Sequence, residues 1–448
     1  MHLSELRGRR VAVWGTGREG KAAVAAIAPA GPASLVVVQD KATFLGTPWD
    51  ATLAPLVEGD AAWQALDDVE IVVRSPVIGE SHPWVQRLRE RGVRITGGTS
   101  LWMADRAERT IGVTGSKGKS TTTALIHHLL VASGRPAVIG GNIGIAAFDL
   151  PDAPLYVLEL SMYQSADLDD SPRVVALTSL FEEHLDWTRD GLPAQYYAHK
   201  LNIVAHGPSA VVYNATDPVL AAELAARPGL PLHPAAVPAG FHVRDGRVLL
   251  GTTDLFPREA FPLRGTHNDG NLCVALGALQ AWGVDVVGER LLLEAGLRSF
   301  QPLPHRLTPI SDPSGVEFVN DSLSTAPQTA IHAIEAYAGR PLAVIVGGQD
   351  RGIDYTPLRD YLSSRGVPLT LIGVPDSGEH ILDVVGELPG VTRVLADDLP
   401  DAVRRSRTIV PPGGVVLLSP AAPSYGRYDN YEARARAFEA AITATAPA

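Results

Sequence analysis

The run Thr114-Gly115-Ser116-Lys117-Gly118-Lys119-Ser120-Thr121 lies between an apolar β-branched stretch and a stretch rich in alanine and leucine. Small residues let backbone N–H groups curl around phosphate oxygens, and a helix that starts there adds its positive end. Lys119 is spaced to reach the β- and γ-phosphates of a nucleotide, and Ser120 to place its hydroxyl on Mg²⁺. The usual G-x-x-x-x-G-K-[ST] pattern has glycine where Val113 stands, which leaves a T-G-x-x-G-K-S-T loop. The plainer alternative is a glycine-rich turn without a ligand, and the strand–loop–helix context favours the phosphate loop.

Further candidates follow. Glu159 ends the apolar run Leu155–Leu160, and a carboxylate at the C-terminal end of a parallel strand near a phosphate loop is placed to hold Mg²⁺. Many strands, however, end in a solvated glutamate. His184, within Phe181–Trp187, is either a surface residue or a metal ligand beside the phosphates. Lys200 closes Tyr196-Tyr197-Ala198-His199-Lys200 on a predicted helix, where a lone lysine normally faces solvent. Gly265–Asn271 opens another helix with amides suited to adenine's edges. Gly15-Thr16-Gly17-Arg18-Glu19-Gly20 follows the strand Val11–Trp14 and looks like a dinucleotide-binding turn. Taken alone it is weak evidence for NAD, and a ligand-free βα turn is its alternative.

These residues need a scaffold of strand ends. Apolar strands are predicted at Arg10–Trp14, Leu35–Gln39, Val69–Arg74, Thr110–Thr114, Leu155–Leu160, Val174–Thr178 and Ala210–Asn214. Others follow at Gly315–Asn320, Leu342–Val346, Pro368–Ile372 and Gly414–Leu418, with helical stretches such as Thr122–Val131 and Gly288–Leu297 between strands. Continuous apolar strands separated by helices indicate parallel sheets covered on both faces, hence α/β units. The polar segment Ala104–Thr110 and the proline-broken segment Phe300–Arg306 are the joints. Three α/β domains are expected, over 1–106, 107–302 and 303–448, with Pro228–Phe261, rich in Gly and Pro with short strand-like pieces such as Phe241–Leu250, as an irregular insertion in the middle one.

Composition narrows the class. At 448 residues the chain is too long for one core, and 46% hydrophobic with 19% charged residues is an ordinary globular balance. The net charge of −11 argues against nucleic acid or an anionic membrane as a partner. A single cysteine, Cys273, rules out an intrachain disulfide framework and a cysteine-rich metal site. With no signal-peptide pattern and no run of roughly 20 apolar residues, a soluble cytoplasmic protein is expected.

Taken in order, T-G-x-x-G-K-S-T, N-I-G (Asn142–Gly144), E-L-S-x-x-Q (Glu159–Gln164), H-L-D (His184–Asp186), Y-x-x-x-K (Tyr196–Lys200), G-x-H-N-x-x-N (Gly265–Asn271), P-H-R (Pro304–Arg306) and N-D-S (Asn320–Ser322) resemble the muramoyl peptide ligases of peptidoglycan synthesis. The likeness covers nearly the whole chain; folylpolyglutamate synthases are more distant relatives. It implies a Rossmann-like N-terminal domain, a central P-loop ATPase-type parallel sheet and a Rossmann-like C-terminal domain. It also implies a reaction in which ATP phosphorylates a carboxylate of a UDP-linked substrate and an amine attacks the acyl phosphate.

By that resemblance Gly115, Ser116, Lys117, Gly118 and Thr121 complete the phosphate cradle around Lys119 and Ser120, and Glu159 shares a first Mg²⁺ with Ser120. His184 and a carbamylated Lys200 would take a second Mg²⁺. Asn271 would contact adenine, with Arg306 and Asp321 reaching the nucleotide from the C-terminal domain. Gly15, Thr16, Gly17, Asp40 and Ser75 would hold UDP, and Asn142 and Gln164 would join the UDP-substrate site. Among these ligases the chain looks most like the glutamate-adding member, with Thr325, Ser424 and Tyr431 at the incoming glutamate. Leu323 stands where that enzyme's N-D-S-K motif has lysine; Arg351 and Arg427 are candidate replacements. Leu323, Gly347–Gly352 and Ser424–Tyr428 resemble a variant that adds L-glutamate to UDP-N-acetylmuramoyl-L-alanine, its product inverted by a separate epimerase. The common D-glutamate-adding enzyme is the alternative, and a monomer is expected.

Overall fold

The computed structural model describes the chain except residues 40–48, 51, 184, 302–305, 351 and 448. It forms two compact units, Met1–Phe261 with Asp269–Phe300, and Pro262–Asn268 with Gln301–Ala448.

The first unit holds two large sheets. In the first, β1 (Arg10–Trp14), β2 (Ser34–Gln39), β3 (Leu56–Glu58), β4 (Ile71–Arg74) and β5 (Arg94–Gly97) run parallel in the order β3-β2-β1-β4-β5. Chain direction across the sheet reverses between β1 and β4, which opens a crevice at their carboxyl ends. The second sheet contains β6 (Thr110–Thr114), β7 (Val138–Gly141), β8 (Tyr156–Glu159), β9 (Val174–Leu177), β10 (Ala210–Asn214) and β11 (Leu232–Ala235), ordered β11-β10-β9-β6-β8-β7 and parallel throughout. Strands such as β8 and β9 are buried along their whole length, as expected when helices cover both faces.

Pro228–Phe261 is more regular than its glycines and prolines led the sequence reading to expect. Part of it is the edge strand β11. The rest is an antiparallel sheet of β12 (Phe241–Arg244), β13 (Arg247–Leu250) and β14 (Thr253–Pro257). The β12–β13 hairpin turns on Asp245-Gly246, with φ of 50° and 71°, the left-handed pair that a tight two-residue loop requires.

The second unit is built on β15 (Thr308–Ile310), β16 (Glu317–Asn320), β17 (Leu342–Val346), β18 (Leu369–Gly373), β19 (Val391–Leu395) and β20 (Val415–Leu418), ordered β15-β16-β20-β17-β18-β19. Only β15 is antiparallel to its neighbour. Separate apolar clusters pack on its two faces, one around Val344 and Leu371, the other around Phe318 and Phe438. The expected class, α/β with several parallel sheets, is the fold observed. Among the described residues no helix is long and apolar enough to cross a membrane.

Candidate active site

The phosphate loop leaves β6 at Thr114, between β8 and β9. Its glycines answer to close contacts. A Cβ on Gly115 would lie 2.1 Å from Thr178 Oγ1, and one on Gly118 would lie 2.3 Å from Asn271 Oδ1. Gly118 has φ of 86° and caps the helix Lys119–Ala132, which therefore begins at the loop itself rather than at Thr122. Ser179 closes the loop from the β9 side: its carbonyl accepts from Ser116 N at 2.8 Å and its hydroxyl from Lys117 N at 2.9 Å. The Ser116 hydroxyl donates to Phe181 O at 2.7 Å and lies 3.0 Å from the Tyr196 phenol.

Three lysines gather here. Lys119 Nζ donates to Gly115 O and Ser116 O, both at 2.9 Å. Lys117 Nζ pairs with Glu183 at 2.6 Å. Lys200, read from its own pattern as solvent-facing, is 3% exposed, and its Nζ donates to Gly115 O at 2.9 Å. Burial, and next the charge of Lys119, push the Lys200 amine well below the usual lysine range, against the pull of Glu183 and Glu159. The surface reading of Lys200 is thus corrected: the helix Pro193–Leu201 turns it inward under the loop.

Glu159 ends β8 in register with Val113, one residue before the loop starts. It is 2% exposed; Oε1 accepts from Asn142 Nδ2 at 2.6 Å, while the buried Oε2 has no hydrogen-bond partner among the described residues. A buried carboxylate oxygen left open beside a phosphate loop, with the Ser120 hydroxyl in that loop, suits a Mg²⁺ ion held by few protein oxygens, with phosphate and water completing its shell. Among the described residues no group of three or more His, Cys, Asp or Glu forms a protein-only metal cage. His184 lies outside the described residues.

At the β1–β4 crevice, a Cβ on Gly15 would come within 2.8 Å of Ser75 Cβ, and Thr16 Oγ1 donates to Gln39 at the end of β2. Gly17 caps the helix Arg18–Ile27. Gly15, Thr16, Gly17 and Ser75 therefore meet at one edge; Asp40 lies outside the described residues. Asn142 sits on Glu159, and Gln164 spans the two sheets, its Nε2 donating to Glu19 at 2.9 Å. Burial raises the Glu19 carboxyl above its ordinary range.

The sequence reading missed the clasp behind this edge. Arg74, at the end of β4, is 1% exposed and donates to both oxygens of Asp167 at 2.8 and 2.6 Å, with its guanidinium 4.8 Å from the Trp187 ring centre. Trp187 Nε1 donates to Pro76 O at 2.9 Å, and His199, next to Lys200, meets Glu80 at 3.0 Å. A charged residue ending a buried strand was the available signal.

In the second unit, Asp321 follows β16 and accepts from Ser419 Oγ at 2.8 Å; Arg306 is half-buried at the start of the segment leading to β15. Ser322 Oγ donates to Tyr431 O at 2.9 Å, which holds the stretch carrying Leu323 and Thr325 against the helix Tyr431–Ala444. Ser424 is buried. Arg351 lies outside the described residues.

A phosphate loop ringed by three lysines, with an open buried carboxylate at the next strand end, defines an α/β protein built to bind a nucleoside triphosphate. The description "Mur ligase middle domain" matches residues 113–232. A Micromonospora protein described as UDP-N-acetylmuramoyl-L-alanine--L-glutamate ligase is 56% identical, covering 100% of this chain and 99% of its own length. One so described from Salinispora tropica is also 56% identical, with 100% of both chains covered. The MurF ligase structure from Thermotoga maritima in complex with ADP matches with a TM-score of 0.56 and 15% identity, covering 99% of this chain and 96% of that one. The chain belongs to the Mur ligase family and is an ATP-dependent ligase.

Proposed function

We propose that this chain adds L-glutamate to UDP-N-acetylmuramoyl-L-alanine, with ATP first converting the acceptor carboxylate to an acyl phosphate. The observation that carries the reading is its likeness, end to end at 56% identity, to two relatives described as L-glutamate ligases. Leu323, in place of the lysine of the D-glutamate-adding motif, supports the same hand.

In this reading Lys119 leaves the loop carbonyls for the γ-phosphate and stays with it during transfer, while Gly115, Ser116, Lys117, Gly118 and Thr121 line the phosphates. Such a reaction needs positioning and charge neutralisation more than covalent help. The γ-phosphoryl group passes to the substrate carboxylate. The glutamate amine then bonds to the carbonyl carbon, and inorganic phosphate leaves. Ser120 and Glu159 would hold Mg²⁺, which supplies charge neutralisation on the transferred group. A second ion is assigned to His184 and Lys200: an amine that burial pushes towards its neutral form would add carbon dioxide through its nitrogen lone pair and release a proton, giving an anionic carbamate. Asn271 is assigned to adenine, and Arg306 and Asp321 to the nucleotide. The UDP moiety is assigned to the crevice of Gly15, Thr16, Gly17 and Ser75.

The test is phosphate release from purified protein given ATP, UDP-N-acetylmuramoyl-L-alanine and each glutamate enantiomer. Turnover with L-glutamate is expected; turnover with D-glutamate alone would overturn the assigned hand.

A further inference from the structure

One side chain joins the two segments that carry the chemistry of the first unit. Residues 179–188 leave β9 alongside the phosphate loop: Phe181 N donates to Ser116 Oγ at 2.9 Å, and Glu183 pairs with Lys117 at 2.6 Å. The far end of this segment is the turn Leu185–Trp187. Residues 75–82 leave β4 at the crevice and run to the helix Pro83–Glu90. The two segments meet at Trp187.

Trp187 is 5% exposed. Its Nε1 donates to Pro76 O at 2.9 Å, and its carbonyl accepts from Ser81 N at 3.3 Å. The approach is so close that a Cβ on Gly79 would lie 2.9 Å from Trp187 O. The Tyr163 and His199 rings stand 5.4 and 5.6 Å from the indole, and His199 is itself tied to Glu80 at 3.0 Å. A buried tryptophan ordinarily fills a core, and Trp187 does belong to the apolar cluster around Leu158 and Val175. Filling space does not require the indole N–H to bond a carbonyl that belongs to the other sheet's segment. Nor does it account for the neighbours: Pro76 adjoins Ser75, Tyr163 adjoins Gln164, and His199 adjoins Lys200.

Phosphoryl transfer sets a strict distance. The attacking oxygen must stand roughly 3–3.5 Å from phosphorus, and a misplacement of about 1 Å costs on the order of a hundredfold in rate. With ATP on the second sheet's loop and UDP in the first sheet's crevice, that distance depends on how the two segments are fixed to each other. We infer that Trp187 is a positioning residue that sets this register, so that a substrate anchored by its UDP presents its carboxylate to the γ-phosphate. The inference rests on the ligase reading above and deepens it.

Steady-state phosphate release by the full chain tests it, with ATP, UDP-N-acetylmuramoyl-L-alanine and L-glutamate varied in turn well below the melting temperature. Trp187→Phe keeps an aromatic ring and removes the donor to Pro76. It is expected to lower kcat at least about tenfold while KM for ATP and for the UDP-substrate stays within about threefold, because each site is intact and only their register is lost. Trp102→Phe is the control. Trp102 is 1% exposed in the same apolar cluster, and its variant should lower Tm and leave kcat within about twofold. An unchanged kcat in Trp187→Phe, or a kcat loss that Trp102→Phe matches, would reduce Trp187 to core packing and overturn the inference. A KM rise for the UDP-substrate alone would also overturn it, by making Trp187 part of that binding site. Should Trp187→Phe fail to fold, Gly79→Ala displaces the Trp187 carbonyl and must show the same kcat-against-KM split; an unchanged kcat there overturns the inference too. Ser75→Val tests the reading underneath: it should raise KM for the UDP-substrate, and an unchanged value would remove the crevice assignment whatever Trp187→Phe does. Turnover of neither glutamate enantiomer by the unaltered protein would fail the ligase reading itself.

Discussion

Asp167→Asn removes the one carboxylate that Arg74 holds at close range. The Arg74 side chain is fully buried and that of Asp167 is 9% exposed. Its other contacts, Ile78 O at 3.3 Å and the Trp187 ring, bring no full negative charge, and Glu80 is 3.9 Å away and shared with Arg89 and His199. Removing one partner of a buried pair costs about 3–5 kcal/mol; with Glu80 near, the lower end, about 3 kcal/mol, is expected. That corresponds to roughly a hundredfold in the unfolding equilibrium and a fall in Tm of about 6 °C for a unit of this size. The assay is a double-mutant cycle of Asp167→Asn, Arg74→Met and the pair, followed by thermal and urea unfolding. The pair leaves no unpaired charge, so it should lose less than the sum of the singles by at least about 1 kcal/mol. A loss below about 1 kcal/mol for Asp167→Asn, with additive effects, would mean the clasp behaves as a solvated surface pair and would refute the reasoning.

Three further outcomes are expected. Lys119→Ala should lower kcat by roughly a hundred- to a thousandfold, as when a donor to developing charge is lost, while calorimetric UDP-substrate binding stays within about twofold; equal loss of both would contradict placing the two sites on different sheets. Lys200→Met should abolish turnover yet melt at or above the temperature of the unaltered protein, because an amine buried against its preference is replaced by an apolar side chain of similar length; a lower midpoint would contradict its burial as a cost. Although burial opposes it, hydrogen bonds from His199 and Arg89 hold the Glu80 carboxyl down to about 2 from 4.5. Its folded value is the lower one, so its contribution is complete above 4.5 and drains away as pH falls towards 2. The urea midpoint should therefore fall between about pH 5 and about pH 3, and fall less in Glu80→Gln; identical slopes would refute the assignment.

The phosphate loop and the β1 turn were legible because their chemistry demands fixed residue types beside a strand end. Strands such as β6 and β17 were legible because they are continuous apolar runs. β5 (Arg94–Gly97) and β7 (Val138–Gly141) were missed: each is short and ends in glycine, and its pairing comes from neighbouring strands rather than its own pattern. Arg74 and the buried Arg434 were missed, and Lys200 was reached only through the family resemblance, for one shared reason. Charged side chains are almost always solvated, so a buried one reverses the default, and only the packed structure reveals its partners. Arg434 did leave a trace: Ala435, Phe438, Ala441 and Ile442 are the buried stripe of its helix, and Arg434 lies on that stripe.

The central claim is that ATP activates a substrate carboxylate before the amino acid attacks. Supplying UDP-N-acetylmuramoyl-L-alanine with its terminal carboxylate labelled with ¹⁸O, together with ATP and L-glutamate, tests it directly by mass spectrometry of the released phosphate. One labelled oxygen transferred into each phosphate is the expected result, because the carboxylate oxygen that accepts the phosphoryl group leaves with it. Phosphate released without label, while the amide forms, would contradict the account.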